Sequence, residues 1–588
     1  MNYKYLGALC AALTIAGAVA AADRPCSVGT LAPLPVTMSG LRPLVHAKIN
    51  GHDAVFLADS GAWFSLISPG SAAEYELALE PLPEGFTLRG VGGAVVPRLT
   101  TVKTFTIAGV PLPKVQFLVG GSEFGSVGLL GQNFLGMEDV EFDLAHGMIR
   151  LMREQGCSSK TNLAYWVPAG GAYSELATDG RSSKPSHIIA SVYVNGVKLR
   201  ALFDTGAATS FITRAAAARF GLKPDGPGVT PAGGSSGIGR NYVETWIGPI
   251  QSVKIGDEEI RNTRIRFGGD LDDVDMLIGA DFFLSHRVYW AQRLDKLYFT
   301  FNGGHVFDLE YLRDGASRSS GTPAAEAIVE PQPIDADGFS RRGGVRAVRG
   351  DVKGALADFN QAVKMAPDNI EYLRQRSQLH ARMGEPLRAA EDLERILKVK
   401  PDDVDAHMVR AEMRQRLDRK ADVSSDLDAA AAAASPSSDR RLAIALGYEE
   451  AGNYPRAIAQ YDLWIAAHRD DVRRPIALNG RCWTRALGGI GLDLALKDCN
   501  AALSAMPHNV AFLDSRGLVR VRLGQYVQAI VDYNEVLAAN GKIAWSLYGR
   551  GIAKLRLGQK EAGEADLAKA KALEPELPDR AGKLGIAP

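Results

Sequence analysis

The chain has 588 residues, more than one hydrophobic core usually organises, so several domains are expected. Lys and Arg together number 67, as do Asp and Glu, which leaves no formal net charge. This balance gives no support to nucleic-acid binding or to a strongly acidic or basic partner. The charged fraction of 23% and the hydrophobic fraction of 46% are ordinary for soluble globular protein.

The first 22 residues have the pattern of a targeting segment. A basic start at Lys4 is followed by an apolar run from Leu6 to Val19 and then by small residues at Ala20–Ala22. This order is typical of a cleaved secretory signal, with an uncleaved anchor as the alternative. No later stretch is long and apolar enough to span a membrane. The sequence therefore predicts a signal peptide over 1–22, a periplasmic or secreted protein, and no membrane span after cleavage.

The cysteines that remain after the signal are four in number, an even count that suggests two disulfides in an exported protein. Cys26 and Cys157 bracket the first half of the chain's β-rich region, whereas Cys482 and Cys499 lie 17 residues apart in a helical pair. Of three possible connectivities, local pairing is the simplest, and four free buried thiols are the alternative. No two cysteines have zinc-site spacing and the histidines form no metal arrangement, so we expect no metal and no cofactor.

One short motif occurs twice in the same surroundings. Apolar residues lead into Asp204-Thr205-Gly206-Ala207, and the same design lies 145 residues earlier as Asp59-Ser60-Gly61-Ala62. The two copies align without gaps, Asn50–Leu77 matching Asn195–Leu222. Each apolar run predicts a buried strand that delivers an Asp to a tight, Gly-dependent turn. One such triplet is common by chance, but two copies in register are not.

With these motifs the chain resembles the retropepsin-like aspartic proteases, whose active-site turn is Asp-Thr/Ser-Gly-Ala. Their second signature, two apolar residues and a Gly before a short helix, also occurs twice, at Leu129–Gly131 and Leu277–Gly279. The resemblance implies a multidomain chain with two mainly-β, acid-protease lobes. These are lobe 1 over 40–152 and lobe 2 over 186–302, joined by a linker over 153–185.

The same resemblance implies the residues of the site. Asp59 and Asp204 would be the catalytic pair, brought together by a pseudo-twofold axis between the lobes. The supporting residues would be Ser60, Gly61, Ala62, Thr205, Gly206 and Ala207. Two close carboxylates share one proton, so one can activate water while the other protonates the carbonyl oxygen of a peptide. Gly-rich stretches at Gly90–Gly93 and Gly233–Gly237 are candidates for flaps that close over the substrate.

Two departures from the family pattern concern how the lobes dock. Retropepsins commonly carry an Arg after the apolar-apolar-Gly signature, which pairs with an Asp after the active-site Ala. Gln132 and Ala280 stand at the Arg positions, and Trp63 and Ala208 at the Asp positions. Lobe docking must therefore be stabilised differently, and lobes could pair within one chain or between two.

Several other residues near the motifs receive structural interpretations. Trp63 and Phe64 are expected to pack against the lobe interface, with a substrate pocket as the less favoured alternative. Asp143, Asp275 and Asp281 lie near lobe ends, where capping or surface roles are expected.

The C-terminal part of the chain has a different composition and period. Residues 303–337 are rich in Ser, Gly, Pro and Ala, which predicts a linker. After it, Pro367, Pro401 and Pro436 recur at a spacing of about 34 residues, and small–large–small residues recur within each repeat. This region resembles tetratricopeptide (TPR) repeats, which implies an all-α solenoid over 338–580 with a protein partner on its surface.

The sequence therefore predicts an exported aspartic endopeptidase that acts on a peptide or protein substrate and uses its TPR solenoid to recruit protein. Two alternatives stay open. Protease-like lobes without catalytic activity could serve as a peptide-binding scaffold, or equivalent lobes could pair across a homodimer.

Overall fold

A computed structural model describes most of the chain. The described residues are 26–83, 85–90, 93–121, 126–158, 161–168, 170–179, 187–235, 243–271, 273–303, 306–307, 333–417, 420–469, 471 and 473–588. The predicted signal peptide, most of the linker over 303–337, and the central residues of both predicted flaps lie outside these residues. The described residues form two compact units, of which one ends at Arg395 and the other begins at Ile396.

Lobe 1 is built from eleven strands and two short helices. The strands are β1 (Ser27–Ser39), β2 (Arg42–Ile49), β3 (His52–Ala58), β4 (Leu66–Ile67), β5 (Leu88–Gly90), β6 (Gly93–Val95), β7 (Arg98–Ile107), β8 (Val110–Val119), β9 (Gly128–Leu130), β10 (Asp139–Asp143) and β11 (Met148–Gln155). The helices are α1 (Pro69–Glu74) and α2 (Gln132–Leu135). Strands β2, β3, β9, β4, β8 and β7 follow one another, and pairing of β7 with β2 closes a barrel.

Lobe 2 repeats this plan. Its strands are β12 (Ser174–Ala177), β13 (Ile189–Val194), β14 (Val197–Phe203), β15 (Phe211–Thr213), β16 (Thr230–Ser235), β17 (Val243–Ile255), β18 (Glu258–Gly268), β19 (Met276–Ile278), β20 (His286–Ala291) and β21 (Lys296–Phe301). Its helices are α3 (Arg214–Ala218) and α4 (Ala280–Ser285). Here β13, β14, β19, β15, β18 and β17 form the barrel, which the β13–β17 pairing closes.

Strands from both lobes join one sheet. Its order is β12-β21-β20-β10-β11-β1, so β10 of lobe 1 pairs directly with β20 of lobe 2. Val140 lies opposite Trp290 and Phe142 lies opposite Val288 in this antiparallel pair. Both inner faces contribute to a single buried hydrophobic cluster. The lobes therefore dock within one chain through backbone pairing and a shared core.

A buried carboxylate reinforces this junction. Glu141 on β10 has no exposed surface and accepts hydrogen bonds from Arg150 of lobe 1 and from Arg287 of lobe 2. The Tyr165 hydroxyl donates at 2.5 Å to Oε2 of Glu141, the oxygen that also accepts from Arg287. Such a pairing replaces the Arg–Asp network of retropepsins as the polar contact between lobes. It explains how docking occurs with Gln132 and Ala280 at the positions where an Arg was expected.

Both predicted disulfides are present. Cys26 pairs with Cys157, which ties the start of β1 to the chain just after β11. Cys482 pairs with Cys499 across two neighbouring helices of the C-terminal region. The first bridge closes a loop of 131 residues, and in chain-entropy terms such a loop stabilises by about 5 kcal/mol.

Helices alone make up the rest of the described chain. They are α5 (Ala336–Val348), α6 (Val352–Met365), α7 (Ile370–Arg382), α8 (Pro386–Val399), α9 (Val404–Arg416), α10 (Lys420–Ala433), α11 (Arg440–Glu450), α12 (Tyr454–Ala467), α13 (Arg474–Gly488), α14 (Leu492–Ala505), α15 (Val510–Arg522), α16 (Tyr526–Ala539), α17 (Ala544–Arg556), α18 (Lys560–Leu573) and α19 (Leu577–Lys583). The predicted fold class, two mainly-β lobes followed by a TPR solenoid, is confirmed.

Small residues allow the paired helices to approach closely. A Cβ on Gly343 would lie 2.7 Å from the Phe359 ring, and one on Gly517 would lie 2.7 Å from the Tyr533 ring. An Arg on the first helix of a repeat also binds an Asp sixteen residues later on the second helix. These pairs are Arg342–Asp358, Arg376–Asp392, Arg410–Asp426, Arg516–Asp532 and Arg550–Asp566. The two helices of a repeat are thus held together by an Arg–Asp ion pair as well as by apolar packing.

The first solenoid helix belongs to the core of the lobes. Val345 and Val348 of α5 are part of the buried cluster that contains Val36 of β1. Arg349, just after α5, donates to the carbonyl of Leu284 in α4 at 2.5 Å. Helix α5 therefore contacts both lobes. Within the described residues, no helix combines the length and apolar character needed to cross a membrane.

Candidate active site

The two motif aspartates begin equivalent turns. Asp59 directly follows β3 and Asp204 directly follows β14. Each of these strands pairs in parallel with the strand of the apolar-apolar-Gly signature, β9 in lobe 1 and β19 in lobe 2. The amide of Asp59 donates to the carbonyl of Leu130 at 3.0 Å, and that of Asp204 donates to Ile278 at 2.8 Å. The second signature therefore fixes the backbone that carries each aspartate.

Each carboxylate is held by its own turn. Oδ1 of Asp59 accepts from the amides of Gly61 and Ala62, both at 2.9 Å. Oδ1 of Asp204 accepts from Gly206 at 2.8 Å and from Ala207 at 3.2 Å. These donors are backbone groups, so each turn orients the carboxylate that it carries.

The hydroxyls that follow the aspartates cross between the lobes. Ser60 Oγ donates to the carbonyl of Phe203, and Thr205 Oγ1 donates to that of Ala58, both at 2.8 Å. In return, the Ser60 amide donates to Thr205 Oγ1 and the Thr205 amide donates to Ser60 Oγ, both at 3.0 Å. Both hydroxyls are buried. This reciprocal set of four hydrogen bonds locks the two turns to each other.

The glycines of the two turns bring the carboxyl groups together. A Cβ on Gly61 would lie 2.3 Å from Cγ of Asp204, and one on Gly206 would lie 2.3 Å from Cγ of Asp59. Only glycine leaves room for such an approach. The carboxyl groups of Asp59 and Asp204 are hydrogen-bonded to each other, so the structure places the predicted pair in one site.

Burial and proximity change the acidity of this pair. Burial raises the pKa of Asp59 well above its usual range, and the neighbouring charge of Asp204 raises it further. Burial also raises the pKa of Asp204, against the hydrogen bonds that its carboxylate accepts. Two carboxyls this close titrate as one unit that releases its first proton more easily than its second. The pair is thus suited to holding a single proton over a broad pH range.

Gln132 supports the site in place of the Arg seen in retropepsins. Its Nε2 donates to the carbonyl of Ser60 at 2.8 Å, which fixes the turn of lobe 1. The backbone amides of Gln132 and Ala280 donate to the carbonyls of Ala62 and Ala207, both at 2.8 Å. The backbone contacts are therefore matched in the two lobes, while the side-chain contact occurs in lobe 1.

His187 is a neighbour of the site that the sequence analysis missed. Its ring lies 4.2 Å from the Trp63 ring, and it is hydrogen-bonded to the backbone of Gly61. Burial lowers the pKa of His187 to about 4, so the ring is neutral at physiological pH. A lone His two residues after the predicted linker gives no sequence signal, because only the fold brings it across to lobe 1.

The two aromatic residues after the first motif behave differently. Trp63 packs at the lobe interface as expected, through its contact with His187 of lobe 2, and 38% of its surface remains exposed. Phe64 departs from the expectation, since it packs within lobe 1 against Phe86 at 6.1 Å. The strand β5, which belongs to the predicted flap, contributes Leu88 to the same apolar cluster.

The capping and surface roles expected for three acidic residues are correct for one of them. Asp275 is partly exposed and accepts from the Arg200 amide at 2.9 Å. Asp143 is instead buried, where it binds His146 at 2.5 Å. Asp281 is also buried, with 7% of its surface exposed, and binds the second active-site loop. The expectation failed for both because it treated helix and strand ends as surface.

Away from this site, one group of metal-binding residue types occurs within the described part of the chain. Asp439, His468 and Asp471 lie close together. Arg473 already binds both carboxylates, at 2.6 Å to Asp439 and 2.7 Å to Asp471. A guanidinium therefore supplies the positive charge that a metal would bring.

Three protein-family models match parts of the chain. Residues 190–282 match the model of an aspartyl protease family, and residues 45–137 match that of a gag-polyprotein putative aspartyl protease. Both lobes are aspartyl-protease-like. Residues 344–414 match a tetratricopeptide repeat family. The matched ranges of the lobes contain Asp59 and Asp204, together with the Gly of each second signature.

Solved structures similar to this chain include a tetratricopeptide repeat protein and a pilus biogenesis factor. A tetratricopeptide repeat protein from Parabacteroides merdae ATCC 43184 is 18% identical, with 43% of this chain and 98% of that chain covered and a TM-score of 0.35. The type IV pilus biogenesis factor PilW is 19% identical, with coverages of 36% and 94% and a TM-score of 0.29. A search of curated proteins gave no match.

Proposed function

We propose that this protein is an aspartic endopeptidase in which Asp59 and Asp204 activate a water molecule for peptide-bond hydrolysis. The observation that carries the proposal is the facing pair of partly buried carboxyl groups, each of which lies against the glycine of the other turn. A carboxyl pair of this kind is costly to bury and has no partner cation among its hydrogen bonds, so a chemical role is its best explanation.

The pair can perform both proton transfers of the reaction. The ionised carboxylate takes a proton from water as the oxygen attacks the carbonyl carbon of the peptide. The protonated partner gives its proton to the carbonyl oxygen, which forms a neutral tetrahedral diol. Collapse of the diol breaks the C–N bond as the protonated carboxyl gives its proton to the leaving amine. A diol hydroxyl returns a proton to the other carboxylate as the new carboxyl group forms, so the pair again holds one proton. The matched backbone donors at Gly61, Ala62, Gly206 and Ala207 keep both carboxyls oriented throughout.

The substrate would be a peptide or a protein, and the TPR solenoid would recruit it or a protein partner. TPR domains bind proteins on the surface formed by their stacked helices. Helix α5 is part of the core of the lobes, so a truncation that removes the solenoid must keep it. A chain that ends after α8 should cleave short peptides as the full chain does and whole proteins more slowly. Near-UV circular dichroism of both chains controls for folding.

Export is part of the proposal and rests on the N-terminal pattern and the two disulfides, which fit an oxidising compartment. N-terminal sequencing of protein from a periplasmic or secreted fraction should give a start between Ala21 and Asp23. Recovery of Met1 from that fraction would contradict cleavage.

Cleavage of a complex peptide library between acidic and neutral pH tests the enzymatic proposal directly. The full chain should release products that Asp204→Asn does not release under the same conditions. Absence of cleavage by the wild type at every pH would favour a peptide-binding scaffold instead. Mass spectrometry of the products also defines which residues flank the scissile bond.

A further inference from the structure

A side-chain amide ties the first active-site loop to the second signature of lobe 1. Asn133 Oδ1 accepts from the amide of Ser65 at 2.7 Å and from its hydroxyl at 2.9 Å. The Ser65 hydroxyl in turn accepts from the amide of Gly131 at 3.0 Å. The end of the loop that begins at Asp59 is therefore fastened to the segment whose Leu130 carbonyl holds the Asp59 amide.

Lobe 2 makes the same connection with a carboxylate. Asp281 Oδ1 accepts from the hydroxyl of Ser210 at 2.7 Å, and Oδ2 accepts from the Ser210 amide at 2.9 Å. The Ser210 hydroxyl accepts from the amide of Gly279 at 2.9 Å. Ser210 is the counterpart of Ser65 in the gapless alignment of the lobes. The two connections are therefore equivalent, apart from the exchange of an amide for an acid.

These connections close a ring of contacts around each aspartate. Each ring runs from the strand of the second signature to the catalytic Asp and along the loop to Ser65 or Ser210. From this Ser it continues to Asn133 or Asp281 and to the Gly of the signature, which directly follows the same strand. A carboxyl group that must face a partner across a pseudo-twofold axis depends on both rings. Displacement of about 1 Å in such a site can cost about 100-fold in rate.

We propose that Asp281 is a positioning residue for the dyad, which fixes the loop 204–210 through Ser210 by offering an acceptor oxygen rather than a negative charge. This inference rests on the proposed function for its catalytic consequence. Asn133 supplies its main support, since a neutral amide oxygen does the same work in lobe 1.

The surroundings of Asp281 also argue against a need for charge. Burial raises its pKa to about 6, although the Ser210 and Phe282 hydrogen bonds oppose the increase. Titratable groups on the elements packed against α4 have other partners. These pairs are Asp139 with Tyr289, Glu141 with Arg150 and Arg287, Asp143 with His146, and His286 with Glu258. Among the residues that the structure describes, ionised Asp281 thus receives hydrogen bonds but forms no ion pair with a cation.

The test replaces Asp281 in the full chain with Asn and with Ala, and measures kcat and KM on one cleaved peptide. Asp281→Asn should keep kcat within about twofold of the wild type, because it retains the acceptor oxygen. Asp281→Ala should lower kcat by roughly tenfold or more while KM changes less than threefold. Loss of kcat in Asp281→Asn as large as in Asp281→Ala, or a wild-type kcat in Asp281→Ala, would overturn the inference.

Matched variants separate positioning from folding. Ser210→Ala removes the hydroxyl that links Asp281 to Gly279, and it replaces Asp281→Ala if that variant does not fold. It should lower kcat severalfold, and a wild-type value would contradict the inference. Asn133→Asp in lobe 1 should keep kcat within about twofold, because the carboxylate offers the same oxygen. A tenfold loss there would show that the two connections are not equivalent.

Hydrogen exchange tests the contact without any activity. The amides of Ser210 and Gly279 should exchange at least tenfold faster in Asp281→Ala than in the wild type, and Asp281→Asn should leave them unchanged. Equal rates in all three proteins would reject the positioning role. If the wild type cleaves no peptide, the proposed function fails, whereas the exchange measurement still decides whether Asp281 holds the loop.

Discussion

The two lobes share one scaffold but differ in the side chains placed around it. The contacts that fix the Asp59 carboxyl have counterparts at the Asp204 turn: each Asp amide donates to a carbonyl of the second signature, and two turn amides donate to each carboxylate. The side chains at equivalent positions differ: Trp63 of lobe 1 corresponds to Ala208 of lobe 2, and Gln132 corresponds to Ala280. The difference teaches that the symmetry is kept where two carboxyls must meet. The side chains that border this meeting point have been free to diverge.

The largest expected effect tests whether the aspartates act as one unit. Asp59→Asn and Asp204→Asn should each lower kcat by about 10⁴-fold or more, because neither carboxyl can complete both proton transfers alone. The double variant should be scarcely worse than either single variant. Single-turnover kinetics with a fluorogenic peptide provides the measurement. Retention of half the activity in one variant, with loss only in the double variant, would show that the lobes act separately.

The next effect concerns the junction of the lobes. Glu141→Ala should lower the free energy of unfolding of the lobes by about 2–3 kcal/mol, because it removes the buried carboxylate that the partly exposed Arg150 and Arg287 share. Urea unfolding followed by tryptophan fluorescence measures this change. Glu138→Ala is the control, since that carboxylate is partly exposed and pairs with Arg153. Equal losses in the two variants would show that the junction does not depend on Glu141.

A third prediction compares the two close contacts of the dyad, Gly61 against the Asp204 carboxyl and Gly206 against the Asp59 carboxyl. Gly61→Ala and Gly206→Ala should each reduce kcat by roughly 100-fold, because the new methyl group displaces the carboxyl of the other lobe. Both variants should fold, which circular dichroism can verify. A large loss in one variant with little loss in the other would reveal a hidden asymmetry at the dyad.

The smallest expected effect uses an unmatched residue, His187. Its pKa in the folded protein is about 4, below the unfolded value near 6.5, so the unfolded chain binds the proton first as pH falls. Stability should therefore decrease by about 2 kcal/mol between pH 6.5 and pH 4, and His187→Gln should remove that decrease. Urea unfolding at several pH values makes the comparison, with exposed His52→Gln as control. An unchanged pH dependence in His187→Gln would contradict this assignment.

Much of this fold is predictable because its signals are local and repeated. The paired Asp-Ser/Thr-Gly-Ala turns and the paired Gly signatures identify the lobes, and a 34-residue period identifies the solenoid. The disulfides follow from four cysteines in two well-separated pairs.

What escaped prediction depends on contacts between distant segments. His187 reaches Gly61 only after lobe 2 has docked, and Glu141 meets Arg287 only across the shared sheet. Asp281 is a charged residue of a type usually found at the surface. It is buried because α4, the short helix that carries it, packs against lobe 1. Residue type and local spacing contain no information about such contacts.

The pairing of β10 with β20 has a consequence for the evolution of a tandem chain. A lobe without its neighbour would end in a free edge strand, with unpaired amide and carbonyl groups ready to bind another molecule. Two separate copies could satisfy those groups only by associating, at a rate set by their concentration. Linking the copies in one polypeptide makes the partner edge always available and removes an opportunity for aggregation. In a homodimer, every substitution appears in both subunits and therefore twice at the interface. In a single chain with two lobes, a substitution can change one lobe and leave the other as it was.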